Sequence, residues 1–161
     1  MIGSKKLDKL LATSPKIYFD DNSKIILMSD CHRGNGTWSD DFFKNRNIFK
    51  AALNYYYNNN YIYIELGDGD ELWENKDMKD IVDEYPDLFQ LLIKFHKANR
   101  LYLIYGNHDR IKKKQFFFRD INSYEGLVLR HLYRKRNILL IHGHQTDFLN
   151  YRLWPINQFL V

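Results

Sequence analysis

Four short islands rich in carboxylate, amide and imidazole groups recur along the chain: Ser29-Asp30-Cys31-His32, Leu66-Gly67-Asp68-Gly69-Asp70, Tyr105-Gly106-Asn107-His108-Asp109 and Ile141-His142-Gly143-His144-Gln145. Mixed oxygen and nitrogen donors of this kind hold divalent cations, and without thiolates they suit manganese, iron or zinc. Asp30 and His32 are one residue apart, so a strand end or turn can aim both at one ion while Cys31 points away. Gly67 lets backbone and cation approach closely before Asp68. In Asn107-His108-Asp109 an amide oxygen can ligate while the adjacent imidazole is held by a carboxylate. His142 and His144 flank a glycine. Each pair alone also fits an ordinary surface loop or a structural histidine; the four together point to a metal site.

Each island closes an apolar run that reads as a buried strand: Lys24 to Met28, Tyr61 to Leu66, Leu101 to Tyr105 and Asn137 to Ile141. In open α/β sheets, ligands bind at the carboxyl ends of such strands. Between them lie helical patterns. Ser39 reads as a helix cap with Asp40 and Asp41 in the first turn. Phe42, Phe49, Leu53 and Tyr56 then share one face, and Asn58-Asn59-Asn60 ends the helix. Asp77 to Glu84 reads as a short helix broken near Pro86, and Leu88 to Ala98 as a second with Leu88, Leu91, Leu92 and Phe95 inward. Leu127 to Tyr133 alternates like a strand, whereas Lys112 to Phe118 is ambiguous. Alternating strands and helices predict an α/β fold with a largely parallel sheet and right-handed crossovers. No repeat, linker or low-complexity segment divides the chain.

At 161 residues the chain is the size of one domain, able to bury about 70% of its unfolded surface. Charged residues make up 27% and mean hydropathy is -0.53; no apolar run approaches the roughly 18 residues of a membrane helix. Met1 to Lys16 lacks the continuous apolar stretch of a secretory signal, so a cytoplasmic location is expected. The one cysteine, Cys31, excludes an internal disulfide and reads as a packed, inert thiol. Net charge is +4, with basic clusters at Lys112-Lys113-Lys114 and Arg134-Lys135-Arg136. These could hold phosphate or nucleic acid, but solvated surface is the favoured reading. The aromatic runs Tyr55-Tyr56-Tyr57 and Phe116-Phe117-Phe118 read as core or interface, with no nucleic-acid module around them.

In this order, each at a strand end, the islands resemble the calcineurin-like metallophosphoesterase superfamily, whose motifs run D-x-H, G-D, G-N-H-D or G-N-H-E, H, and G-H-x-H. The resemblance covers Lys24 to about Asp147 and four of the five motifs. It implies an αββα sandwich of two sheets flanked by helices. It also implies two divalent metal ions, manganese, iron or zinc, about 3.5 to 4 Å apart, and hydrolysis of a phosphate mono- or diester by in-line attack of a bridging hydroxide. By resemblance, Asp30 and His32 bind the first ion, Asp68 bridges both, and Asn107 and His142 bind the second. His108 would protonate the leaving oxygen, oriented by Asp109. Arg33 and His144 are expected to contact the substrate phosphoryl group. Glu71, Trp73 and Glu74 either shape the substrate mouth or belong to a capped helix start.

The chain also departs from the pattern. After His108 the only histidines are His131, His142 and His144, and no G-H-x-H follows. The expectation is therefore a single metallophosphoesterase domain over 1–161 that is the N-terminal portion of a longer enzyme, with much of its second half missing. On that reading an apolar face of Ile26, Met28, Ile64, Leu103 and Leu140 is uncovered and invites the missing portion or self-association, with Leu149 to Val161 packing there. A short variant completed by water, His144 or a second subunit is one alternative. A non-catalytic metal-binding or protein-interaction module is the other. Retention of the proton donor beside the ligands favours an enzyme, and nothing in the sequence selects its substrate.

Overall fold

A computed structural model describes residues 2–111, 121 and 123–144. Helix α1 (Ile2–Thr13) leads into β1 (Lys16–Phe19), and β2 (Ile25–Met28) follows a turn in which Asp20 accepts from the Asn22 N–H and the Ser23 hydroxyl. Then come α2 (Arg46–Asn58), β3 (Ile62–Leu66), α3 (Met78–Glu84), α4 (Pro86–Lys97) and β4 (Leu101–Ile104). The described chain closes with β5 (Ser123–Tyr124), β6 (Leu127–His131) and β7 (Asn137–Leu140). The segment Lys112 to Phe118 and the run Leu149 to Val161 lie outside the described residues.

Two sheets result. Strands β2, β3, β4 and β5 pair in that order, all parallel. The second sheet runs β1-β6-β7, with β1 parallel and β7 antiparallel to β6. Because side chains alternate along a strand, β3 sends Tyr63 to the helices and Ile62, Ile64 and Leu66 to the other sheet. Likewise β4 sends Leu101 and Leu103 one way and Tyr102 and Ile104 the other. Ile17, Ile64, Ile104, Leu127, Leu129 and Leu140 fill the space between the sheets. On the far side, Leu53, Ile81, Leu92 and Phe95 cover the four-stranded sheet, while α1 lies against β6. The mixed α/β fold with a parallel sheet and flanking helices is thus as the sequence predicts.

Several local expectations change. The second sheet that the resemblance implies is present, but it recruits the unforeseen β1 beside β6 and β7. Ile26, Met28, Ile64, Leu103 and Leu140 do not form one face: the first two and Leu103 pack toward the helices, and Ile64 and Leu140 lie between the sheets. These five residues therefore do not make the single apolar face expected of them. Ser39 does not cap α2. Asp40 instead accepts from the N–H groups of Gly36 at 2.8 Å and Phe43 at 3.0 Å, holding a 3-10 turn over Phe43–Asn45, and α2 begins at Arg46. Pro86 does not merely break a helix. It opens α4 at the first position, where its missing N–H costs no intrahelical bond. Asp77 caps α3 by accepting from the Lys79 N–H at 2.9 Å.

Candidate metal centre

The first two islands are stitched together by their backbones. The N–H groups of Asp30, His32 and Arg33 donate to the carbonyls of Gly67, Asp68 and Gly69 at 3.1, 3.0 and 3.0 Å, and Glu71 N–H returns to Arg33 O at 2.9 Å. To run side by side in this way, both loops take unusual backbone conformations. Asp30, His32 and Asp68 have φ of 54°, 49° and 50°, in the left-handed region that costs a non-glycine residue roughly 1–3 kcal/mol. Three candidate ligands held in that region is a signal that no spacing in the sequence carries.

Asp30, Asp68 and His142 present donor atoms that all lie within 4.8 Å of one another. His142 arrives from the end of β7, across the sandwich from Asp68 at the end of β3. Its Nδ1–H donates to Leu66 O at 2.7 Å, which turns Nε2 to within 3.0 Å of Asp68 Oδ2. Burial disfavours the imidazolium, but the Asp68 bond and charge outweigh it and raise the pKa to about 9. Asp68 Oδ1 accepts from the His108 N–H at 2.8 Å. The glycines keep this space open: a Cβ on Gly106 would stand 2.0 Å from Asp68 Oδ1, and one on Gly67 2.7 Å from the His142 ring. A proton on His142 thus occupies a place where a cation would be equally welcome, and the carboxylate and imidazole set fits a divalent ion.

A second cluster adjoins the first. His32 Nδ1–H donates to Glu71 Oε2 at 2.8 Å, leaving Nε2 4.0 Å from Asp30 Oδ1. His108 Nδ1 lies 2.9 Å from Glu71 Oε1 and 2.8 Å from Oε2. Burial pushes the Glu71 carboxyl up, but the bonds from His108 and His32 prevail and hold it at about 2. The carboxylate bonded to His108 is therefore Glu71, three residues past Asp68. Asp109, which the sequence reading assigned to this task, accepts from the Gly106 N–H at 2.7 Å and the Gly69 N–H at 3.0 Å, tying two islands together while fully buried. The Glu71-His108 pairing was missed because sequence adjacency favoured Asp109.

Arg33 requires a second correction. It does not face a substrate but is 0% exposed, with Nη1 and Nη2 each 2.9 Å from a Glu65 oxygen and Nε 2.6 Å from Asp70 Oδ1. Tyr63 donates to the same Glu65 at 2.9 Å. The guanidinium neutralises two carboxylates beneath the site. His144 is also buried, its ring 5.7 Å from that of His142 and 6.3 Å from Tyr105. Burial and the neighbouring His142 lower its pKa to about 4. Among the described residues its Nδ1 has no hydrogen-bond partner.

Asn107 shares the turn with His108, and its carbonyl accepts from the Trp73 indole N–H at 2.9 Å. Trp73 therefore sits at the site, while Glu74 is exposed. Cys31 packs against the helix-side core. Of the basic clusters, Arg134 pairs with Asp21 at 2.6 Å, and His131 bonds the same carboxylate, away from the islands; Lys112-Lys113-Lys114 and Phe116-Phe117-Phe118 lie outside the described residues. Tyr56 and Tyr57 pack on the helix-side core and Tyr55 is exposed. Among the described residues no helix is long and apolar enough to cross a membrane.

Facing sheets whose strand ends gather carboxylates and imidazoles around a crevice make this an α/β protein with a candidate metal centre. The family model described as calcineurin-like phosphoesterase matches residues 23–159, and the chain belongs to that family of metal-dependent phosphoesterases. No curated protein and no solved structure matches it.

Proposed function

We propose that the chain hydrolyses a phosphate mono- or diester, with two divalent ions, manganese, iron or zinc, held by Asp30, His32, Asp68, Asn107 and His142. The observation that supports this best is the meeting of Asp30, Asp68 and His142 within 4.8 Å, with His32 turned toward Asp30. When bound, such ions acidify a water for attack on phosphorus and offset charge on the phosphoryl oxygens. Asp68, centrally placed, is the bridging carboxylate. Leu66 O fixes the His142 tautomer so that Nε2 is the ligating nitrogen. Glu71 holds Nδ1 of both His32 and His108, so that each ring offers its Nε2 to the crevice. From that atom His108 delivers a proton to the leaving oxygen. No side chain need form a covalent bond to phosphorus.

A single domain and a cytoplasmic setting complete the reading, the latter supported by the lone thiol. The second reading is a metal-binding or protein-interaction module without turnover on the same fold, for which the carboxylate and imidazole set of Asp30, Asp68 and His142 would suffice. Hydrolysis of p-nitrophenyl phosphate and its bis-ester, with and without added manganese, decides between them. Manganese-dependent release of p-nitrophenol is expected; metal binding without release from either ester establishes the module instead.

A further inference from the structure

We infer that Trp73 is a positioning residue that fixes the ring of His108, an inference that rests on the phosphoesterase reading above. Three separate contacts carry it. The indole plane stacks on the His108 imidazole with centroids 3.9 Å apart and planes 20° apart. The indole N–H donates to Asn107 O at 2.9 Å, gripping the residue that precedes His108. The Trp73 backbone N–H donates to Glu71 Oε1 at 3.2 Å, the same carboxylate that bonds His108 Nδ1. One residue therefore touches the face of the imidazole, the main chain that bears it and the group that orients it.

The need for such a clamp follows from the rest of the geometry. The bond at Nδ1 points Nε2 into the crevice, but the ring can still rock about its Cα–Cβ and Cβ–Cγ bonds within the give of that one hydrogen bond. The His32 ring, edge-on at 4.8 Å and 83°, limits that rocking on one side. Trp73 limits it over the flat face, so the direction of Nε2 becomes fixed. Proton transfer depends on donor and acceptor meeting at roughly 2.6–3.2 Å, and a swinging ring spends only part of its time there.

The test compares leaving groups. A nitrophenolate departs with little help from an acid, whereas an alkoxide needs its proton, so a misaligned donor harms alkyl esters selectively. Trp73→Leu should lower kcat on an alkyl phosphate by about 10- to 100-fold and on the p-nitrophenyl ester by less than about threefold, short of the roughly 10² to 10⁴ expected when an acid is removed outright. KM and metal content should change little, and Trp73→Phe, which keeps an aromatic face without the N–H, should restore most of the alkyl rate. Equal losses on both esters, or none, overturn the inference. An independent readout is the ¹H shift of the His108 ring, displaced upfield by an indole face at 3.9 Å; the displacement should persist in Trp73→Phe and vanish in Trp73→Leu. An inactive wild type that shows this displacement refutes the phosphoesterase reading and keeps the Trp73 contact, whereas its absence in the wild type refutes the clamp.

Discussion

His142 Nδ1 donates to the carbonyl of Leu66 at 2.7 Å, joining the end of β7 in one sheet to the end of β3 in the other. That one bond links the two halves of the sandwich and aims a candidate ligand. With Nδ1 committed to a carbonyl, the ring offers Nε2 to the crevice, and Asp68 is the first group it meets. Coupling an imidazole at its far nitrogen is how proteins set a metal ligand's tautomer and direction.

Asp68 stands at the centre of this arrangement, so Asp68→Ala should abolish binding of both ions. His108→Ala should leave metal content intact and slow turnover by about 10² to 10⁴. Elemental analysis beside kcat on an alkyl phosphate, whose leaving oxygen needs the proton, checks both. Equal metal content and equal activity in the two variants would remove the roles assigned here.

Glu71 and Asp109 should fail differently when neutralised. Glu71→Gln loses a charge that holds two imidazoles, and is expected to weaken metal affinity about 10- to 100-fold through His32 while slowing turnover through His108. Asp109→Asn removes half of a brace between two backbone N–H groups, so its main effect should be a lower melting temperature. Metal titration and thermal unfolding of both variants separate the two roles.

Gly106→Ala is the sharpest test of the cradle. The added carbon would stand 2.0 Å from Asp68 Oδ1, so either the carboxylate or the Gly106 turn must move. Loss of metal binding is expected in a protein that still folds, measured by metal content and circular dichroism. Retained metal affinity would show that Asp68 is not held where the structure puts it.

Replacing Arg33 distinguishes a buried counter-ion from a substrate contact. Arg33→Met leaves Glu65 and Asp70 buried without their cation, and breaking such a group by removing one partner costs about 3–5 kcal/mol. Denaturant unfolding should show that loss. A raised KM with stability unchanged would instead return Arg33 to the substrate.

Much of this was legible in the sequence, for local reasons. Apolar runs of four or five residues announce strands, and the 3.6-residue spacing of Leu88, Leu91, Leu92 and Phe95 places one side of α4 in the core, where all four are buried. A glycine before Asp68 and another before Asn107 mark where chain and candidate ligand crowd together: a Cβ would stand 2.7 Å from the His142 ring at Gly67 and 2.0 Å from Asp68 Oδ1 at Gly106. The islands themselves are short-range facts, because a strand end fixes the direction of the next two or three residues.

What tertiary structure alone decided is which distant group answers each of these. Strand alternation shows that Tyr63 and Glu65 share a face, but not that Arg33 will be drawn beneath them; that follows from the parallel bridge between Arg33 and Asp70. Adjacency suggested Asp109 for His108, yet the turn points Asp109 back at the backbone and brings Glu71 from another island. The left-handed backbones of Asp30, His32 and Asp68 are likewise imposed by hydrogen bonds between loops, against the residues' own preference. Nor could β1 be read as part of the second sheet, since its pairing partner, β6, lies more than a hundred residues away. A charge or an edge carries no address in the local chain; only the packed neighbours supply one.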